Sequence, residues 1–295
     1  MQENSLSIIT VNFNGGKYLD YFLKSIILYP PKIPYEVIVV DNVSKDLSFE
    51  KIKKKYGNFR NFLFIKSDKN RGYGGGCNLG LKYAKGDIII FANPDVIIFK
   101  DTFEKLIKEI NSEEKIGAIG PKLLNPDGSF QPSCRRYPRF KYLLFGRRSF
   151  FSKYWKNNPL TKEFMYTNFE NLKNGKIPVE SIMGAFFITK KKVLEDVGNF
   201  DERFFLYAED TDLCYRMRKK GYKVYYLPEA EVIHYHGKSR KYLGIKSLYL
   251  LKKSIYLFFK KHYKLNIFKK ILLTLGLISG LFYDHFLKAL GKEKI

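Results

Sequence analysis

Residues 70–95 read NRGYGGGCNLGLKYAKGDIIIFANPD, and this stretch decides the reading of the fold. Ile88–Ala92 (IIIFA) is a short, wholly apolar run. A strand covered on both faces has this composition, whereas a half-exposed strand alternates. The run stops at Asn93-Pro94-Asp95, which reads as a turn. Cys77–Ala84 before it has helical spacing, and the glycine-rich Asn70–Asn78 leads into that helix. Glycines ahead of a helix let backbone N–H groups come close to a phosphate or a sugar, and they equally suit a tight turn. The pattern is no dinucleotide fingerprint, because the last glycine of GxGxxG would fall at Cys77. Nor is it a P-loop, since no Gly-Lys-Ser/Thr follows.

The same alternation extends outward. Leu6–Val11 (LSIITV), Glu36–Val40 (EVIVV), Phe62–Ile65 and Ile116–Ile119 read as strands. Tyr18–Leu28 and Thr102–Ile110 read as helices. Buried strands separated by helices predict an α/β fold with a mostly parallel central sheet flanked by helices. In such a sheet the ligand crevice lies beyond the carboxyl ends of the strands. Asn12, Asn14, Asp41, Asn42, Asn93 and Asp95 all follow strands and should share that edge. Phe130–Lys176 is rich in aromatic and basic residues, lacks periodicity and reads as an insertion. Patterning returns at Ser181–Ile188 and continues to His236. Leu243–Leu290 reads as two basic amphipathic helices broken near Leu265–Asn266.

The chain has 295 residues, 45% of them hydrophobic, and a formal net charge of +24. That length and apolar content support a packed core and exclude global disorder. The charge points to an anionic partner (a diphosphate, an anionic membrane surface or nucleic acid) or, since Lys greatly outnumbers Arg and Ile, Asn, Tyr and Phe are abundant, to compositional drift. Arg135–Arg148 interleaves basic and aromatic residues, but no nucleic-acid-binding module surrounds it, and nucleic acid is not expected. Cys77, Cys134 and Cys214 are scattered and odd in number, which fits a reducing compartment rather than a disulfide framework. Met1–Ser5 carries no signal-peptide pattern. The longest apolar stretch, Ile271–Tyr283, is short for a membrane span.

Two further clusters carry chemistry. Glu209, Asp210 and Asp212 place three carboxylates within four residues. Crowded acids need a task, a metal or a partner, and a carboxylate suits general-base work on a hydroxyl. The same residues also suit the first turn of a helix over Asp212–Lys219. His234 and His236 share one face of a short strand, where a neutral imidazole can complete a metal site or serve structure alone. Asp95, on a turn after a buried strand, can reach a divalent cation. Mg²⁺ or Mn²⁺ would need only one or two protein oxygens beside diphosphate oxygens and water.

Taken in order, SIITVNFNG, VIVVDNVSKD, NRGYGGGCNLGLKYAKGDIIIFANPD and IMGAFFITKKKVLEDVGNFDERFFLYAEDTDLCYRMRKKGYKVYYLPEAEVIHYHGKS resemble the family 2 glycosyltransferases, in particular their rhamnosyltransferase-like subgroup. The resemblance spans Leu6 to about Lys238. It implies a GT-A fold, an inverting single displacement, a nucleotide-diphosphate sugar as donor and a glycan or polyprenyl-linked acceptor, with dTDP-rhamnose the first choice of donor. It implies that Asn12 and Asn14 border the nucleotide pocket, that Asp41 binds base or ribose, and that Asn70, Gly72, Asn78 and Asn93 belong to the donor site. Asp95 and His234 would bind Mg²⁺ or Mn²⁺. Asp210 would be the catalytic base, with Glu209 beside it. The element Asn93-Pro94-Asp95 has one carboxylate where the family's DxD has two. On this reading residues 1–240 form the catalytic domain, divided into a nucleotide-sugar half (1–125) and an acceptor half (126–240), and residues 241–295 form a helical appendage. The expected location is cytoplasmic, peripheral on the inner face of the membrane; the oligomeric state stays open. Two rivals keep the sheet. A sugar-phosphate nucleotidyltransferase would release pyrophosphate from a nucleoside triphosphate. A non-catalytic glycan- or membrane-binding module would show no transfer.

Overall fold

A computed structural model describes residues 5–145, 158–235 and 246–289, with the side chains of 144–145 and 279–289 left aside. The buried runs form strands as their composition predicts. β1 (Leu6–Asn12), α1 (Gly16–Leu28), β2 (Tyr35–Asp41), α2 (Ser48–Tyr56), β3 (Phe62–Lys66), α3 (Gly72–Leu81) and β4 (Ile88–Ala92) alternate along the chain. Their strands pair in parallel in the order β3-β2-β1-β4. After β5 (Val96–Ile98) and α4 (Thr102–Ser112), the long β6 (Ile116–Leu124) turns through Asn125-Pro126-Asp127-Gly128 into β7 (Phe130–Gln131). β8 (Cys134–Arg135), α5 (Phe140–Phe145), α6 (Pro159–Met165), β9 (Ile177–Pro178) and β10 (Ser181–Ile182) make up the segment that lacks periodicity. β11 (Phe186–Lys190), α7 (Lys191–Val197), α8 (Glu209–Lys219) and β12 (Lys223–His234) follow, then α9 (Lys246–His262) and α10 (Ile267–Ala289).

The sheet runs β3-β2-β1-β4-β11-β6-β12-β5. β11 lies antiparallel to both β4 and β6, and β12 lies parallel to β6. β1, β2, β4, β6 and β12 therefore all end at one rim, and β11 begins there. Both faces of the sheet are covered. Leu6, Ile8, Val37, Val39, Ile88 and Ile90 pack with Phe22, Ile52 and Leu106 of α1, α2 and α4. Ile9, Val11, Ile38, Val40, Ile89 and Phe91 pack with Cys77, Val193 and Met217 of α3, α7 and α8. Burial on both faces is why the strands read as continuous apolar runs.

One detail differs from the sequence expectation. α3 starts at Gly72, inside the glycine run, and ends at Leu81 rather than Ala84. Glycine is a poor helix former, so packing supplies the reason: a Cβ on Gly76 would lie 2.6 Å from Cγ1 of Val11. The glycines let α3 press against β1. Ser181–Ile188, where patterning returns, holds parts of two strands. It breaks at Met183–Ala185, between β10 and β11. The three cysteines are free and buried.

Candidate active site

At the rim, Asn12 and Asp41 end paired strands and face each other in register. Asn12 Nδ2 donates to Asp41 Oδ1 (3.0 Å), Ser44 Oγ (2.9 Å) and Ser48 Oγ (2.9 Å), and Asn12 Oδ1 accepts from Gly15 N–H (3.1 Å). Asp41 Oδ2 accepts from Ser44 N–H at 3.1 Å. Asn14 sits in the left-handed region (φ 52) and accepts from Lys45 N–H at 2.7 Å. Asn70 Oδ1 accepts from Asn42 Nδ2 (3.0 Å) and from Gly72 N–H (3.0 Å). Gly72 (φ 71) has no room for a side chain, since a Cβ would fall 2.0 Å from Phe205 O. Asn78 is placed differently. Its Nδ2 donates to Phe200 O and Glu202 Oε1, and its Oδ1 accepts from Phe200 N–H. It ties α3 to the loop that leads to the acidic cluster.

On the other side of β1, Asn93-Pro94-Asp95 leaves β4 and turns into β5. Because β5 pairs with the end of β12, His234 is in register with Val96 and Tyr235 N–H donates to Asp95 O at 2.9 Å. His234 Nε2 lies 3.4 Å from Asp95 Oδ1 and 3.5 Å from Asn93 Nδ2. Gln131 fixes the imidazole. Its Nε2 donates to Asn125 Oδ1 (2.8 Å) and His234 O (3.2 Å), so its Oε1, 2.6 Å from His234 Nδ1, is the acceptor. Nδ1 therefore carries the proton, and in the neutral ring Nε2 presents a lone pair toward Asp95. A carboxylate oxygen and an imidazole lone pair held face to face suit a cation between them. Among the described residues no group of three or more His, Cys, Asp and Glu side chains converges. The donor set thus fits a hard divalent ion that draws its remaining ligands from phosphate and water. His236 lies outside the described residues. Gln131 was not singled out from the sequence; the Asn-Pro-Asp-Gly turn that folds β7 back along β6 was the available sign.

Glu209 and Asp210 open α8, so the acids are both a helix's first turn and a cluster at the rim. They are delivered by two successive left-handed residues, Tyr207 (φ 70) and Ala208 (φ 61), each strained by about 1–3 kcal/mol. Asp210 Oδ2 accepts from Gly184 N–H at 2.7 Å, and Oδ1 accepts from Thr211 N–H at 2.6 Å. The Tyr73 hydroxyl donates to Gly184 O. The next residue, Ala185, accepts from Asn93 N–H at 2.8 Å. The Asn93–Asp95 turn and Asp210 are thus anchored on neighbouring residues at the start of β11. Burial raises the Asp210 carboxyl above its ordinary range despite these hydrogen bonds and the nearby charge of Arg135. Burial, with the charge of Asp210 second, raises Glu209 further. Glu209 Oε2 is buried without a hydrogen-bond partner among the described residues.

Asp212 faces away from this rim. It is wholly buried, and Arg216 Nε (2.8 Å), Lys261 Nζ (2.7 Å) and His262 Nε2 (2.7 Å) surround it. Burial alone would raise its carboxyl, but His262, Arg216 and Lys261 together hold it below the ordinary range.

A mixed sheet of this order, with its polar rim at the carboxyl ends of β1, β2 and β4, defines the GT-A class of α/β transferase. The chain belongs to glycosyl transferase family 2: the model of that family matches residues 7–198, and that of glycosyl transferase family group 2 matches 149–277. It is 31% identical over 264 residues to the N-acetylglucosaminyl-diphospho-decaprenol L-rhamnosyltransferase of Mycobacterium tuberculosis, covering 86% of this chain and 83% of that one. It is 26% identical to rhamnosyltransferase WbbL of Escherichia coli K12, covering 80% and 86% respectively. The structure of the mannosyltransferase PcManGT from Pyrobaculum calidifontis, solved with GDP-Man and Mn²⁺, superposes with a TM-score of 0.59 at 16% identity. That superposition covers 98% of this chain and 76% of that one.

Proposed function

We propose that the chain is an inverting, metal-dependent glycosyltransferase that moves a sugar, with rhamnose from dTDP-rhamnose the first choice, onto a hydroxyl of a lipid-linked glycan in cell-surface polysaccharide synthesis. The observation that carries this reading is the meeting of Asp210 and the Asp95 turn on adjacent residues, Gly184 and Ala185, at the strand rim. The similarity to two rhamnosyltransferases, one named for a diphospho-decaprenol acceptor, supports the choice of sugar and acceptor.

Asp95 and His234 would hold Mg²⁺ or Mn²⁺, which when bound offsets negative charge on the departing diphosphate. Asn12 and Asp41 shape the base and ribose end of the donor pocket, with Asn14, Asn70 and Gly72 forming its wall. Asn93 borders the sugar side, and Asn78 holds the far wall in place. Asp210 accepts the acceptor hydroxyl's proton as that oxygen forms its bond to the anomeric carbon. The bond from that carbon to the diphosphate oxygen breaks with its electron pair on the oxygen, so the configuration inverts. The raised carboxyl of Asp210 suits proton acceptance near neutral pH.

A screen of dTDP-rhamnose and UDP-hexoses for binding in Mn²⁺, followed by turnover of the best donor, tests this. Asp210→Asn should lower kcat by about 10²–10⁴-fold and leave metal-dependent donor affinity intact. Turnover at the wild-type rate in that variant removes Asp210 as the base.

Among the described residues no helix is long and apolar enough to cross a membrane. Yet α10 exposes Ile267 (73%), Phe268 (70%) and Leu275 (59%), with Ile271 and Ile278 on the same surface and Lys264, Lys269 and Lys270 close by in sequence. An apolar face beside lysines suits a helix lying in an anionic lipid surface. Flotation with phosphatidylglycerol vesicles should retain the protein at low salt. Failure to float, or a concentration-dependent dimer that buries this face instead, removes the membrane reading.

A further inference from the structure

α9 grips the strained loop that delivers the acidic pair, and it does so at both ends. Before the left-handed pair Tyr207–Ala208, Ser254 Oγ donates to Leu206 O at 2.9 Å. Further back, Lys261 Nζ reaches Asp201 Oδ2 at 2.7 Å. After the pair, Lys261 and His262 both reach Asp212 Oδ1 at 2.7 Å. Beneath the loop, Phe258 is fully buried against Phe204 and Tyr137. A helix that only covered apolar surface would place its polar contacts at the margin. These contacts instead fall on Asp201, Leu206 and Asp212, the points that fix a loop whose backbone resists its own shape.

We propose that Ser254, Lys261 and His262 are positioning residues, which hold the loop 201–212 so that Asp210 stays at Gly184 with its carboxylate set for proton transfer. This rests on the reading of Asp210 as the base. None of the three touches donor or acceptor in this scheme; they act through Asp201, Leu206 and Asp212. Arg216 sits on α8 itself, so losing Lys261 or His262 removes one of the two ties from Asp212 to α9 and loosens the first turn of α8. Small displacements of a reacting group carry large rate penalties.

The test uses the full chain with His262→Leu, Lys261→Met and Ser254→Ala, beside His262→Gln, whose Nε2–H can reach Asp212 as the imidazole does. Hydrogen exchange of the protein alone should show faster exchange over residues 204–212 in His262→Leu and Lys261→Met, while the centre of β1 and β4 stays protected. His262→Gln should stay close to wild type. With the donor found in the screen, kcat should fall about tenfold or more in His262→Leu and recover in His262→Gln, with donor Kd unchanged in both. Wild-type kcat or wild-type exchange over 204–212 in His262→Leu overturns the proposal. So does a loss of donor affinity matching the loss of kcat, which marks general unfolding. If instead wild type transfers sugar but Asp210→Asn does so equally well, the base assignment fails while the exchange result still reports on the clamp.

Discussion

Glu209 is a carboxyl group enclosed beside Asp210, with one oxygen lacking a partner among the described residues. Burial and then the Asp210 charge raise its pKa in the fold. The native state therefore binds more protons than the unfolded chain once pH exceeds the ordinary glutamate value of about 4.3. The sign follows: Glu209 lowers stability progressively as pH rises from there toward its raised value. Glu209→Gln should melt with wild type at pH 4 and above wild type at pH 7.5. Scanning calorimetry at the two values checks this, and a gap that does not depend on pH would mean the charge is compensated. At this scale the sequence made residue types legible and their environments less so. Asp95, Asp210 and His234 stood out by order and chemistry. Gln131, which sets the imidazole tautomer, did not, because its role depends on a hairpin bringing it back alongside β6 and β12. Asn78 was legible as a polar residue in the glycine run, but its use as a tie to Phe200 and Glu202 depends on a loop far along the chain.

At the scale of elements, periodicity located the strands and missed part of what packs on them. The apolar residues that α2 buries are Phe49, Ile52 and Tyr56, in a lysine-rich segment, too thin a stripe to stand out. The glycines of α3 read as a loop that could approach a ligand, whereas they form a helix seated on β1. Helix propensity alone says that Gly→Ala gains about 1 kcal/mol. At Gly76 the sign should reverse. Val11 is β-branched and stiff, and it places Cγ1 at 2.6 Å and Cγ2 at 3.0 Å from the added carbon. Gly76→Ala should lose about 1–3 kcal/mol in urea unfolding. A more stable variant would show that α3 can lift from the sheet at no cost. The break inside Ser181–Ile188 was equally hidden, because Met183-Gly184-Ala185 is apolar throughout. At the break, Gly184 N–H donates to Asp210 and Ala185 O accepts from Asn93 N–H.

For the whole molecule, the two C-terminal helices looked alike in sequence and differ in placement. α9 is fastened to the loop 201–212 through Lys261, His262 and Phe258, while α10 rests on α9 through Leu273 and Leu277 against Phe259 and leaves its other side exposed. Composition predicted two basic amphipathic helices and could not tell which was committed to protein, since both faces of that choice are apolar. Removing Leu265–Ile295 should therefore abolish flotation and keep turnover on a short-chain acceptor within about threefold. Removing everything after residue 245 should cost turnover as well and lower the melting temperature. Equal losses in the two truncations would place both helices in one unit. The reversed run of β11 has a consequence of another kind. β6 leaves the sheet at the same rim where β11 re-enters it. Everything strung between them is a detour that starts and finishes at one doorway. Its two ends are fixed: Gln131 steadies His234 at the start, while β9 on β12, Val179 in the core and Gly184 beneath Asp210 hold the finish. A scaffold wired in this way can gain or lose length between those two ends and still keep the rim and its strand order.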